Sequence, residues 1–380
     1  MTWLAEPDEF TFTLKLRDGV FQLLAGEFIP TKRQVIRVVM SVFDPLGLVA
    51  AFVVHGKCLI QDIWRAKVNW DEQIPEELVS KWRRWVDVLQ NLIKVKIPRC
   101  YFPGYDPRRL ECLELHVFVD ASEEAYACTA YFRIVDRGLI RCALVSAKTK
   151  VAPLNPMSVP RLELQAAVIG ARLMKAVQEN HSLPISRRVI WGDSKTVQSW
   201  LRSDQRKYRQ FVAFRVSEIL SETSLEEWRW VPTRSNVADE ATKWSKGPSF
   251  QSDSRWFTGP EFLYEDESGW PEQKYSPTNT QEEIRPIHAH HLAYLEPVFD
   301  YHRFSRYQRL LRTVGYALRF IDHCRRKPVT ESSDTGLLSR NELLKAAVAA
   351  GAKRRIFRRS VDDTQKQGTT ARRNQKVDEK

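Results

Sequence analysis

Four acidic residues, Asp120, Glu163, Asp193 and Asp239, sit at the ends of segments whose patterning aims them at one shared point. Asp120 closes the alternating run Leu115-His116-Val117-Phe118-Val119, and Asp193 closes Val189-Ile190-Trp191-Gly192. Glu163 opens a strongly periodic helix, and Asp239 lies in the first turn of a late one. An oxygen-only, multiply anionic cluster suits hard divalent cations, Mg²⁺ or Mn²⁺, which complete their shells with water and phosphate oxygens. Clustered carboxylates repel one another, so the metal-free cluster is expected to be strained or loosely ordered.

Each acid also has a structural explanation when taken alone. Asp120 in Val119-Asp120-Ala121-Ser122 fits a strand-end turn. Glu163 fits a first-turn acid favoured by the helix dipole, although its neighbours Ala167 and Gly170 make a small-residue face that lets a helix approach a sheet closely. Asp193 precedes Ser194, Lys195 and Thr196 and fits an N-cap. Asn236-Val237-Ala238-Asp239 resembles a capping box with the acid at the third helical position. Jointly, in this order and on this pattern of elements, the four point to a site.

The elements that must position them are legible as periodicities. Strands are expected over 115–120, 125–134 and 140–147, then a helix over 160–180, a strand at Val189, helices near 195–201 and 208–221, a strand over 227–231 and a helix from Val237. Short consecutive strands followed by alternation with helices indicate an α/β fold with a mixed sheet flanked by helices, its acids gathered near one edge. Before it lies a short β segment at 10–14 and a mainly helical region. Thr31 is placed to cap a helix through Val35, Val38 and Val39 that ends before Asp44-Pro45. Leu78, Trp82, Trp85, Leu89 and Leu92 recur at helical spacing after Pro75, a stripe suited to domain packing or to base stacking. Pro-, Ser- and Gly-rich composition after Gly247 suggests a linker. One helix follows, with Tyr307, Leu311, Val314, Leu318 and Ile321 on one face, then a weak helix over 341–350 and a basic, largely disordered tail.

Length and charge narrow the class. The 380 residues suffice for two or three domains. A net charge of +12 and a pI near 9.4 favour polyanionic partners, nucleic acid first. The six cysteines are scattered without a Cys-x-x-Cys pair and suit reduced thiols. No signal peptide or membrane-length apolar stretch stands out. An intracellular, soluble protein is therefore expected, with cytoplasm and nucleus left open because Lys353-Arg354-Arg355 is a weak nuclear signal. His288, His290 and His291 have no upstream Cys-x-x-Cys partner, which speaks against a zinc site.

Four segments carry a resemblance: V-F-V-D-A-S at 117–122, S-V-P-R-L-E-L-Q-A-A at 158–167, I-W-G-D-S-K-T-V at 190–197 and W-V-P-T-R-S-N-V-A-D-E-A-T-K at 230–243. Together they resemble the ribonuclease H domain of BEL/Pao-type long-terminal-repeat retrotransposons. Residues 1–105, through S-V-F-D-P-L-G-L-V-A and I-P-E-E-L-V-S-K-W, look like the end of a reverse transcriptase palm with its thumb and connection. R-F-S-R-Y-Q-R-L-L-R at 303–312 is similar to the helical segment before the integrase of such polyproteins. The implied organisation is a thumb- and connection-like region (1–105), a ribonuclease H-like domain (112–247), a linker (248–300), a helical pre-integrase-like segment (301–327) and the tail (328–380).

What the resemblance implies is hydrolysis of RNA in RNA·DNA hybrids. Two Mg²⁺ or Mn²⁺ ions would be held by Asp120, Glu163, Asp193 and Asp239, with Asp120 bridging. Lys195, Arg202, Arg206, Lys207 and Arg209 are candidate phosphate contacts, and Ser122 and Ser194 candidate donors beside the acids. No Tyr-x-Asp-Asp occurs and no histidine lies between Asp193 and Asp239, so neither a polymerase site nor a mobile-histidine step is expected. The rival implication is a catalytically inactive or domesticated remnant that binds nucleic acid, or other parts of a retroelement polyprotein, without cutting.

Overall fold

The computed structural model describes residues 1–13, 28–92, 94–105, 112–243, 251–273, 283–285 and 307–324. It divides into two units, Met1–Pro286 and Ile287–Lys380. In the first, strands β1 (Thr2–Leu4) and β2 (Glu9–Thr11) pair antiparallel, and β3 (Lys96–Pro98) joins β2. Between them run helices α1 (Lys32–Ser41), α2 (Ala50–Arg65) and α3 (Glu76–Leu92). Strands β4 (Cys112–Ala121), β5 (Ala125–Asp136) and β6 (Leu139–Val151) follow, then α4 (Val159–Asn180) and β7 (Arg187–Gly192). Helices α5 (Lys195–Leu201) and α6 (Gln210–Glu222), strand β8 (Trp228–Trp230), and short helices α7 (Asp239–Thr242) and α8 (Arg255–Thr258) complete the unit. In the second unit α9 spans Tyr307–Cys324, on the expected apolar repeat.

The large sheet has the order β6-β5-β4-β7-β8. Its first three strands are antiparallel, and β7 and β8 join parallel to β4. Strand β4 alternates between two cores. Leu113, Leu115, Val117 and Val119 pack with Leu162, Ala166, Ile169 and Leu173 of α4 and with Val197, Val212 and Val216 of α5 and α6. Phe118 faces the opposite core with Tyr131 and Trp191. A bulge leaves Val145 without a partner, since Ala130 pairs with Ser146 and Tyr131 with Leu144. The slip flips the alternation, so Leu144 and Ala147 both reach the second core while Val145 reaches the first.

That second core is shared with the N-terminal helices. Val35, Phe52, Leu59, Trp82, Trp85 and Leu89 form one apolar cluster with Phe118, Tyr131, Leu144 and Trp191. The tryptophan stripe of α3 is thus packing: Trp85 stacks on Phe52 at 4.6 Å between ring centroids, and its indole N–H donates to the Phe52 carbonyl at 3.3 Å. Thr31 and Gln34 form the capping box of α1. Asp44 accepts from the Leu48 and Val49 amides at 2.9 Å each, fixing the turn into α2. In the same turn Gly47 adopts φ +77°, and a Cβ there would stand 1.8 Å from the Ala147 carbonyl oxygen. Gly47→Ala is therefore expected to lower stability by roughly 2 kcal/mol or more, read as a shift in denaturant midpoint.

The stretch read as a linker is folded where it is described. Trp256, Phe262, Leu263 and Trp270 are buried in the same core. Tyr131 donates to the Trp256 carbonyl at 2.7 Å, and Trp256 donates to the Leu48 carbonyl at 2.8 Å. The composition misleads because these large residues fall at no regular spacing: they plug a sheet face from single turns of helix and the loops between them. Residues 274–282, the three histidines, the 341–350 helix and the basic tail lie outside the described residues.

Candidate active site

Registry brings two of the acids together. Strands β4 and β7 are parallel neighbours with Val119 opposite Gly192, so the next residue on each is an acid, Asp120 and Asp193. Glu163 reaches the same place from α4. It is the fifth residue of that helix, past the first turn, so the dipole explanation does not hold. Gly170, two turns on, is what allows the approach: a Cβ there would stand 2.4 Å from Val119 Cγ1. Asp120, Glu163 and Asp193 line one cleft with Ser194, Val197, Gln198 and Trp228. Asp239 does not line it but acts electrostatically on Asp120.

Asp193 is not a cap. Ser194 takes that position, accepting from the Val197 amide at 3.2 Å, which leaves the Asp193 carboxylate for the Thr233 hydroxyl at 2.7 Å. Nor does Asp239 stand third in a capping box. It is the first residue of α7, and Ala238 at the N-cap makes no side-chain cap. The reason is Asn236, whose buried amide donates to the Val119 carbonyl at 2.9 Å and ties this segment to the end of β4.

Each carboxylate holds a donor from the protein. Thr242 donates to Asp120, Ser194 to Glu163 at 2.6 Å, Thr233 to Asp193 and Lys243 to Asp239. As placed, no three His, Cys, Asp or Glu side chains among the described residues form a group that could hold a metal. The donor chemistry nevertheless fits a hard cation, being all carboxylate and hydroxyl oxygen. Burial, with Asp193 and Asp239 beside it, pushes the Asp120 carboxyl up to about 7, against the pull of Thr242 and Lys243. Burial and Asp193 also raise Glu163, partly offset by its bond from Ser194.

These shifts have a stability consequence of definite sign. Asp120 titrates near 3.8 when unfolded and at about 7 when folded, so between those values folding takes up a proton and stability falls as pH rises. In the metal-free protein Asp120→Asn is expected to raise the melting temperature, and by more at about pH 8 than at about pH 5. Parent and variant melted in EDTA at both values check this. A gap that fails to widen would contradict it.

The basic candidates divide. Lys195, Arg206, Lys207 and Arg209 are exposed, and the Lys195 ammonium lies 5.9 Å from the Trp230 ring centroid. Arg202 is exposed too, but its guanidinium is held on the protein, donating to Gln198 and to the Trp228 carbonyl at 3.2 Å. Ser122 is spent on the β4–β5 turn, accepting from Glu124 and Ala125 at 3.2 Å each. The sequence reading missed Thr233, Asn236, Thr242 and Lys243. Their spacing around Asp239, at six and three residues before and three and four after, was the available signal.

An antiparallel three-strand meander extended by two parallel strands, with helices on both faces, defines an α/β ribonuclease H-like fold. Residues 31–194 match the family described as Pao retrotransposon-like RNaseH-like domain. The match takes in α1–α3, strands β4–β7 and α4, and with them Asp120, Glu163 and Asp193, and ends before β8. Solved structures similar to the chain include an N-terminal RNase H domain from Mycobacterium tuberculosis, produced as a fusion with maltose-binding protein (13% identity, 34% of this chain and 91% of that one, TM-score 0.25). RNase H1 from the halophilic archaeon Halobacterium salinarum is another (14%, 33% and 88%, TM-score 0.22). A third is LC9-RNase H1, described as a type 1 RNase H with the type 2 active-site motif (13%, 44% and 95%, TM-score 0.27). No curated protein matched the chain. No helix among the described residues is long and apolar enough to cross a membrane.

Proposed function

We propose that the chain is a metal-dependent endonuclease of the ribonuclease H type that hydrolyses the RNA strand of RNA·DNA hybrids. The observation that carries this reading is the meeting of Asp120 and Asp193 at adjacent strand ends, with Glu163 in the same cleft and Asp239 acting on Asp120. Asp120, Glu163 and Asp193 would hold one divalent ion, and Asp120 with Asp239 a second. Such ions, when bound, supply an activated water and charge stabilisation at the leaving oxygen.

The protein's own contribution is placement and charge. Burial of Asp120 in a cleft walled by Val119, Val197 and Trp228 keeps bulk water from the carboxylates and strengthens their hold on a cation. Ser194 and Thr233 orient Glu163 and Asp193 through short hydrogen bonds. Lys195, exposed at the start of α5, and Arg206, Lys207 and Arg209, exposed between α5 and α6, suit tracking of phosphates along a duplex. Preference for a hybrid would rest on 2′-hydroxyls of the RNA strand.

The test is cleavage of labelled RNA·DNA, RNA·RNA and DNA·DNA duplexes by the purified protein with Mg²⁺, Mn²⁺ or EDTA. Metal-dependent cutting confined to the RNA strand of the hybrid is the expected result. Hybrid binding by folded protein without cutting in either metal would overturn it in favour of a nucleic-acid-binding remnant.

A further inference from the structure

Three of the four acids are answered by neutral hydroxyls, those of Thr242, Ser194 and Thr233. A hydroxyl satisfies a lone pair but brings no charge. A positive charge comes from Lys243. It stands one helical turn after Asp239, and its backbone N–H closes α7 on the Asp239 carbonyl at 2.9 Å. Its ammonium donates to the Asp239 carboxylate, and the same charge acts on Asp120, Glu163 and Asp193. The Lys243 side chain is 47% exposed against 23% for Asp239, so it enters the cluster from the solvent side. A flexible four-carbon stem with a strongly hydrated head can leave such a position at little cost.

We propose that Lys243 is a resident counter-ion of the carboxylate cluster, displaced when divalent ions bind and returned when they leave. The inference rests on reading the four acids as a metal site. It adds that the ammonium and the metal compete for Asp239 and its neighbours. The competition weakens metal affinity and protects the metal-free fold from the mutual repulsion of its acids.

The experiment uses the full chain with Lys243→Met, Lys243→Gln and Lys243→Arg. Mg²⁺ affinity is read by calorimetry, and melting temperature across Mg²⁺ concentrations and in EDTA. Both neutral variants are expected to bind Mg²⁺ about tenfold more tightly, to melt lower than the parent in EDTA, and to recover the difference as Mg²⁺ saturates. The arginine variant should stay close to the parent. Unchanged Mg²⁺ affinity in the neutral variants would overturn the proposal. So would a melting deficit equal in EDTA and in saturating Mg²⁺, which is what a purely structural helix-end contact would give. Neutral variants that fail to fold even with saturating Mg²⁺ would count against it equally, because the metal should replace the lost charge. A parent that shows no Mg²⁺-dependent shift removes the metal site itself, an outcome distinct from a parent that binds Mg²⁺ no more weakly than its neutral variants.

Discussion

An Asp193→Asn chain is expected to cut RNA·DNA hybrid more than ~100-fold more slowly than the parent at saturating Mg²⁺, while melting at nearly the same temperature. Loss of an outer-shell partner of a metal typically costs about 10- to 100-fold, and a carboxylate that touches the ion should cost more. Asp193 is the cleanest acid for this test. It is only partly buried, and its hydrogen bond comes from the Thr233 hydroxyl, which an amide oxygen accepts as well. Side-chain volume is kept and one negative charge is lost. Single-turnover cleavage beside a thermal melt separates chemistry from folding. A parent-like rate would take Asp193 out of the metal set.

The second large effect concerns where the domain ends. A chain trimmed to 112–247 is expected to show no cooperative unfolding, whereas one of 1–286 should unfold in a single transition. The sequence places a domain at those inner limits, but one face of its sheet is covered from outside them. Phe118, Tyr131, Leu144 and Trp191 pack against α2 and α3 on one side of the cut and against Trp256, Phe262 and Trp270 on the other. Fully burying one such side chain is worth about 1.5 to 3 kcal/mol, so the four together are worth about as much as the roughly 5 to 15 kcal/mol by which domains are stable. Circular dichroism and denaturant titration of the two chains decide it. Cooperative unfolding of the shorter one would show that the inner limits suffice.

The periodic elements were the legible part, and with them three of the acids. The run ending at Asp120 and the run ending at Asp193 carry their strand period openly, and parallel pairing then sets the acids side by side. The small face of α4 at Ala167 and Gly170 foretold the close approach to β4 that brings Glu163 in. Illegible were the features decided by tertiary contact. Nothing local says that the Asn236 amide goes to the Val119 carbonyl and leaves α7 uncapped, or that Thr242 and Lys243 turn toward acids far from them or one turn back. The plug at 251–273 was hidden for a different reason. Its tryptophans and phenylalanine read as loop residues until the uncovered sheet face they fill is known.

One hydrogen bond, from the Trp256 indole to the Leu48 carbonyl, joins residues 208 positions apart. During synthesis the turn that holds Leu48 and the helices on either side of it emerge before Trp256 and Trp270, and their apolar face must wait for those two before its core can close. Contacts this distant along a chain make folding slow and expose intermediates to aggregation. Trp256 leaves the ribosome 208 residues after Leu48, so over that length of synthesis this face of the core has no cover.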